Sequence, residues 1–140
     1  MATLNATKHL YDNIAEIVLS GQFSKSLKLI ALNNTYLFNS GSDELTGIII
    51  SSDWPQAGIT LNNVQVTQYN TTDSILTSDG ISFVPFSADI LGIKTLVVMD
   101  FALTKPLVAF VFTSEFNIYK STPFNLSWPS GYILKLMRPT

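Results

Sequence analysis

The sequence predicts a mainly β protein, a single β-sandwich or jelly-roll-like domain with one N-terminal amphipathic helix. Three observations lead to this prediction: an apolar pattern of helical period before Gly21, alternation of period two after it, and turn residues at short intervals along the rest of the chain. Short strands with regular turn spacing are typical of sandwiches and barrels. A length of 140 residues fits one domain. We therefore predict one domain over residues 1–140, with a helix or arm at 1–21 and a β-sandwich at 22–140.

The first element is predicted to be a helix over residues 8–20. Its apolar positions follow the i, i+4, i+7, i+8 spacing of one helix face, and they are Leu10, Ile14, Ile17 and Val18. Thr7 is a suitable cap at the start, and Gly21 is a suitable end. We expect this face to pack against the β body or a neighbouring chain. Together with Phe23, it supplies the residues predicted to contact a partner.

Strand patterns follow the helix. Ser26–Leu32 alternates in period two, and Asn39–Gly47 is a polar loop. Gly58–Tyr69 also alternates, but its phase slips at Asn62-Asn63, which predicts a bulge or a tight turn. Ser74–Phe86 contains short strand pieces around an Asp-Gly turn. About eight to ten short strands of the typical length are expected in total.

The most apolar segments are Lys94–Phe101 and Pro106–Phe112. Nearly continuous β-branched and aromatic runs of this kind are typical of central strands that are buried on both faces. The short stretch between them fits a hairpin connection. We therefore predict two adjacent, antiparallel, central strands, with Phe110 in the core.

The C-terminal segment predicts a final hairpin. Its inward positions alternate with polar residues, and they are Phe124, Leu126 and Trp128. Pro129-Ser130-Gly131 has the Pro and Gly positions of a type I turn, and "YILKLM" is the return strand. Trp54, which also precedes a proline, is expected to fill the core in the same way. The alternative for both tryptophans is an exposed platform on which a sugar ring stacks.

The composition indicates a protein that associates with others. Charged residues make up 13% of the chain and hydrophobic residues 46%, whereas typical soluble domains have about 25% charged residues. Low charge protects poorly against association, so we expect a subunit whose surface is covered by neighbours. The alternative is a sandwich coated with Ser, Thr and Asn. The net charge is −2 without a basic stripe, and neither a signal peptide nor a membrane-length apolar run is recognised. We expect no nucleic acid and no membrane as partners.

Few residues are suited to catalysis or metal binding. The chain has no cysteine, and His9 is its single histidine, so zinc sites and nucleophilic triads lack their components. Asp43-Glu44 lies in a polar loop, where solvated charge is the simpler interpretation. Asp79-Gly80 lacks the flanking ligands of a calcium loop. We predict no catalytic residue, no metal ligand, no cofactor and no small-molecule substrate.

The order of five segments resembles that of a group of small tailed-bacteriophage virion proteins. These segments are "LKLIAL" (Leu27–Leu32), "QAGITL" (Gln56–Leu61), "TLVVMD" (Thr95–Asp100), "KPLVAFVF" (Lys105–Phe112) and "FNLSWPSGYILKL" (Phe124–Leu136). The chain departs from the pattern at Trp54-Pro55, where the family has a glycine-aromatic lead. It departs again in the short loop from Ser40 to Ser51.

The resemblance implies a structural protein of the virion, assembled in the host cytoplasm, without a catalytic residue. The first expectation is a capsid decoration or cement subunit that binds the major capsid protein lattice and copies of itself. A neck, tail or baseplate subunit is the alternative within the particle. A carbohydrate- or receptor-binding module with an exposed tryptophan is the alternative of another class, and an enzyme is the least supported.

Overall fold

The structure is a computed structural model that describes residues 2–3, 6–14, 17, 25–51 and 53–137. In these residues the protein is mainly β with antiparallel sheets, and no helix reaches seven residues. The prediction of a mainly β fold is confirmed. The prediction of one domain over residues 1–140 stays a prediction.

The described strands are short except for Ile90–Asp100 and Lys105–Ile118, which have 11 and 14 residues. In chain order they are β1 (Ala2–Thr3), β2 (Ala6–Leu10), β3 (Leu27–Leu32), β4 (Ile59–Thr60), β5 (Gln65–Gln68), β6 (Asp73–Thr77), β7 (Ile81–Phe83), β8 (Ile90–Asp100), β9 (Lys105–Ile118), β10 (Phe124–Ser127) and β11 (Leu134–Met137). A short turn at Pro129–Gly131 lies between β10 and β11.

The strands form three sheets. The largest has five strands in the order β2-β9-β8-β3-β4, and each neighbouring pair in it is antiparallel. The other two have three strands each, in the orders β1-β10-β7 and β11-β6-β5. The pairing of β1 with β10 is parallel. Strands β8 and β9 are adjacent and antiparallel inside the five-stranded sheet, with Val97 opposite Ala109, as their apolar sequences predicted.

Both faces of the five-stranded sheet are covered. One face joins a large core cluster that also contains side chains of the three-stranded sheets, among them Leu29, Leu96, Phe110, Leu76 and Leu126. The opposite face forms a smaller cluster with Ile30, Val97, Ala109, Tyr11 and Tyr36. Burial on both faces explains why β8 and β9 have nearly continuous apolar sequences instead of a clean alternation.

The predicted helix over residues 8–20 is wrong at its start. Residues 6–10 form β2, and Lys8 lies opposite Phe110 in β9. Helix propensity is weak, and tertiary pairing overrides it. Here the edge of β9 supplies backbone partners that an isolated helix start lacks. Of the later residues in the described part, Asn13, Ile14 and Ile17 have helical backbone conformation.

The turn at Pro129–Gly131 also differs from its prediction. The amide of Gly131 donates to the carbonyl of Trp128 at 3.0 Å, so the turn itself is present. Ser130 has φ 59° and ψ 10°, whereas a type I turn needs a negative φ at this third position. Because proline cannot take a positive φ at the second position, the geometry is that of a type II turn. Proline favours the second position of both types, so the sequence did not separate them.

Candidate interaction surface

Trp54 is fully buried in the large core cluster. Its indole Nε1 donates to the carbonyl of Leu29 at 3.0 Å, which satisfies the one polar group of the ring. Its ring makes an edge contact with Phe83, with centroids 5.8 Å apart. The side chain therefore presents no free face to a ligand.

Trp128 is buried at the end of β10, with 6% of its surface exposed. Its ring stacks on Phe110, and its Nε1 donates to the hydroxyl of Ser78 at 2.9 Å. Phe124 and Leu126 are buried on the same side of the strand. The inward side chains predicted for this segment thus lie in the core, and neither tryptophan supplies a stacking platform for a sugar.

The described residues of the predicted partner contact, Leu10, Ile14 and Ile17, differ in their exposure. Leu10 ends β2 and is 41% exposed, whereas Ile14 and Ile17 are buried in the large core cluster. Because they are buried in this core, the two isoleucines stabilise the protein itself and are not available to a partner. Val18 and Phe23, the other two residues of the predicted contact, lie outside the described residues.

The titratable side chains singled out in the sequence have structural neighbours. The His9 ring stacks on Phe38, with centroids 4.8 Å apart. Asp43 forms an ion pair with Lys105 and accepts a hydrogen bond from Asn13, and these contacts hold the pKa of Asp43 below its usual value. In the described residues, no group of three or more His, Asp or Glu side chains is placed to hold a metal ion.

The sequence pattern did not indicate two buried polar features, a pair of tyrosine hydroxyl groups and a buried aspartate. The hydroxyl groups of Tyr11 and Tyr36 hydrogen-bond each other inside the smaller core cluster, and burial raises the pKa of both. Asp100 is fully buried at the end of β8, where its Oδ1 accepts from the amide of Leu103 at 3.2 Å. This hydrogen bond holds the turn between β8 and β9, so the acidic residue after "TLVVM" has a structural role.

Exposed apolar side chains gather at one end of the molecule. We call this surface the end patch, and its members are Val84, Phe86, Leu91 and Tyr119. The loop after β7 is held beside the end of β9 because the Ser121 amide donates to the Pro85 carbonyl at 2.9 Å. The start of β8 lies at the same end, since Ile90 is opposite Ile118.

Phe86 is the most exposed member of the end patch, with 84% of its surface accessible. Contiguous exposed apolar patches larger than about a few hundred Å² mark interaction sites in soluble proteins. The other three members of the end patch are 49–56% exposed, so four apolar side chains at this end are open to solvent. The end patch is therefore a candidate contact surface.

A second surface combines lysines with tyrosines. We call it the lysine–tyrosine cluster, and its members are Lys8, Tyr69, Tyr132 and Lys135. The ammonium groups of Lys8 and Lys135 lie 4.9 Å and 5.9 Å from the centroid of the Tyr132 ring. Lys135 is also 5.0 Å from the centroid of Tyr69, and the two tyrosine rings meet edge to face at 5.7 Å. Lys8 belongs to β2, Tyr69 directly follows β5, Tyr132 precedes β11, and Lys135 belongs to β11.

Comparison with known proteins found no matching protein-family model, no matching curated protein and no matching solved structure. Among the described residues, no helix has the length and apolar character needed to cross a membrane. The functional assignment therefore depends on the two surfaces and on the sequence resemblance.

Proposed function

We propose that this protein is a structural subunit of a tailed-bacteriophage particle and that it decorates the capsid. It is assembled into the virion in the host cytoplasm. It binds the major capsid protein lattice and copies of itself, and it is not an enzyme. The observation that carries this proposal is the end patch, where Phe86 is 84% exposed in a chain with only 13% charged residues. Contact with a neighbouring subunit removes this apolar surface from water, which is favourable by about 25 cal/mol per Å².

We further propose that the sheets form a two-layer β-sandwich. The five-stranded sheet is one layer, and the two three-stranded sheets form the other. The large core cluster supports this arrangement because it contains Phe110 from the first layer beside Leu76 and Leu126 from the second. Inner faces that share one core are the defining feature of sandwich packing. A rigid body of this kind holds the end patch in a fixed orientation.

Decoration of bare capsids tests the function. Purified protein is added to capsids that lack it, and bound copies per particle are counted by quantitative gel analysis and electron microscopy. We expect saturable binding with hundreds of copies. The same end surface is expected to face the capsid, and Phe86→Ser is expected to lower the occupancy at a given concentration by about tenfold, which corresponds to 1.4 kcal/mol.

Leu37→Ser is the matched control for Phe86→Ser. Leu37 is 83% exposed, lies in the loop after β3 and is not a member of the end patch. The two substitutions remove similar apolar exposure at different places, so only Phe86→Ser should reduce occupancy. Equal loss in both variants would assign the binding to general hydrophobicity and contradict the role of the end patch.

The copy number separates the alternatives. A small fixed number of copies per particle would place the protein in the neck, tail or baseplate. Absence from purified particles would contradict a virion role altogether. The carbohydrate- or receptor-binding alternative depended on exposed tryptophans, and the burial of Trp54 and Trp128 removes that support.

A further inference from the structure

The lysine–tyrosine cluster brings together positive charges from distant parts of the chain. Lys8 belongs to β2 and Lys135 to β11, and both ammonium groups lie over the ring of Tyr132. Lys8 also lies 5.8 Å from the ring centroid of Phe110, its neighbour across the β2–β9 pair. The fold thus holds two like charges against one aromatic surface.

No described carboxylate compensates these charges. In the part of the chain that the structure describes, the ion pair within 4.0 Å joins Lys105 to Asp43, and neither Lys8 nor Lys135 has such a partner. Burial lowers the pKa of Lys8, and the nearby charge of Lys135 lowers it further. Two uncompensated cations repel each other, and an anion between them would reverse this unfavourable interaction.

We propose that the lysine–tyrosine cluster is a binding site for the carboxylates of an acidic segment on a partner protein. The ammonium groups of Lys8 and Lys135 donate hydrogen bonds to the carboxylates, and charge-assisted hydrogen bonds of this type are the stronger ones. The choice of a protein as partner rests on the proposed function, in which the chain contacts neighbouring subunits. The site itself rests only on the geometry of the cluster.

The arrangement of the rings favours a carboxylate over a stacked ring. Binding of a sugar or a nucleic-acid base on tyrosine needs an open ring face. In the cluster, an ammonium group lies over each tyrosine ring, at 5.0 Å from Tyr69 and 4.9 Å from Tyr132. A ring stacked on the same faces would have to displace these cations. Nucleic acid is also disfavoured because two lysines in a chain of net charge −2 offer no stripe along which a phosphate backbone can lie.

Titration with peptides tests the site independently of any particle. A glutamate-rich peptide is added to the isotope-labelled full chain, and backbone amide shifts are followed by NMR. We expect saturable shifts at Lys8, Tyr132 and Lys135 that weaken as salt is added. A glutamine-rich peptide of equal length should produce none. The double substitution Lys8→Gln/Lys135→Gln should weaken binding about fivefold, since it removes two modest charge pairs with the peptide.

The matched control is Lys28→Gln/Lys120→Gln. Lys28 also lies over an aromatic ring, 4.3 Å from the centroid of Phe101, but it is outside the cluster. Both double variants lose the same net charge, so a site-specific effect predicts the fivefold weakening only in Lys8→Gln/Lys135→Gln. Equal weakening in both, or no saturable shift in the unmodified protein, would overturn the site. Tighter binding of a single-stranded oligonucleotide or of inorganic phosphate than of the peptide would overturn the choice of partner.

The two proposals fail separately. If the glutamate-rich peptide binds but the protein does not occupy capsids, the site stands and the particle role is wrong. If the protein occupies capsids but the peptide does not bind at the cluster, the particle role stands and the site is wrong. When both succeed, the Lys8→Gln/Lys135→Gln variant should also reduce capsid occupancy.

Discussion

The indole of Trp128 stacks on the phenyl ring of Phe110, with centroids 5.6 Å apart and ring planes inclined by 29°. Phe110 lies in the five-stranded sheet, whereas Trp128 follows β10 of a three-stranded sheet. The contact therefore joins two sheets at the large core cluster. Stacked aromatic pairs contribute about 0.5–1.5 kcal/mol beyond their area burial.

Phe110→Ala should lower the free energy of unfolding by about 3–5 kcal/mol, the usual range for removing a buried aromatic side chain. The reason is a cavity beside Trp128 that the surrounding strands fill only in part. Urea denaturation followed by circular dichroism measures the change. A loss below about 1 kcal/mol would show that the site does not belong to the core.

Trp54→Phe should destabilise the protein more than Trp128→Phe. Both changes remove an indole N–H, but the partner of Trp54 is the carbonyl of Leu29 in a buried strand, whereas Ser78 is partly exposed and its hydroxyl can bond to water. A hydrogen bond lost inside the core is not replaced by one to water, so its loss costs more there than at a site that water can reach. Thermal denaturation of the two variants gives the order, and a larger loss for Trp128→Phe would contradict this account.

Gly58→Ala should be more damaging than Gly131→Ala. Both glycines have positive φ, +92° and +84°, so each substitution incurs backbone strain of about 1 kcal/mol. A Cβ at Gly58 would in addition lie 2.8 Å from the carbonyl oxygen of Leu29, whereas a Cβ at Gly131 has no heavy atom within 4 Å. We expect about 1 kcal/mol for Gly131→Ala and at least about 2 kcal/mol for Gly58→Ala in denaturant titrations. Equal losses would contradict the clash.

Lys135→Gln should raise the pKa of Lys8 towards its usual value, because it removes the repelling charge. The folded-state pKa of Lys8 is lowered, so between this pKa and the usual lysine value the unfolded chain binds more protons than the folded one. Stability therefore rises with pH across this window. NMR titration of the Lys8 side chain measures the pKa, with Lys28→Gln as the control that should leave it unchanged. An unchanged pKa in Lys135→Gln would show that the two charges do not interact.

The sequence predicted those parts of the fold that depend on local pattern. The apolar runs at 94–101 and 106–112 indicated a buried hairpin, and the structure has β8 and β9 there. The conformation of residues 8–10 was missed because it depends on pairing with β9, which is distant in the chain. The spacing of Leu10 and Ile14 fits a helix. Nothing in the local sequence indicates that the edge of β9 is available for pairing.

The two candidate surfaces differ in how far the sequence could reveal them. Phe86 stands in the turn-rich stretch "FVPFSAD", where an aromatic residue has no strand partner of its own, and this was a usable sign of exposure. The lysine–tyrosine cluster carried no such sign. Lys8 and Lys135 come from opposite ends of the chain, and only the arrangement of the sheets brings them to one ring.

The order of strands in the five-stranded sheet has a consequence for how the chain reaches this fold. The β8–β9 hairpin pairs residues that are close in sequence, whereas β2 and β3 join it from the N-terminal part of the chain. Closing those long loops costs conformational entropy before strand pairing can stabilise the chain. Folding is therefore expected on the millisecond-to-second scale typical of β proteins with non-local contacts. The hairpin is then the natural nucleus. Until β2 and β3 arrive, its edges are open to pairing with other chains, so the yield of folded protein should fall as the refolding concentration rises.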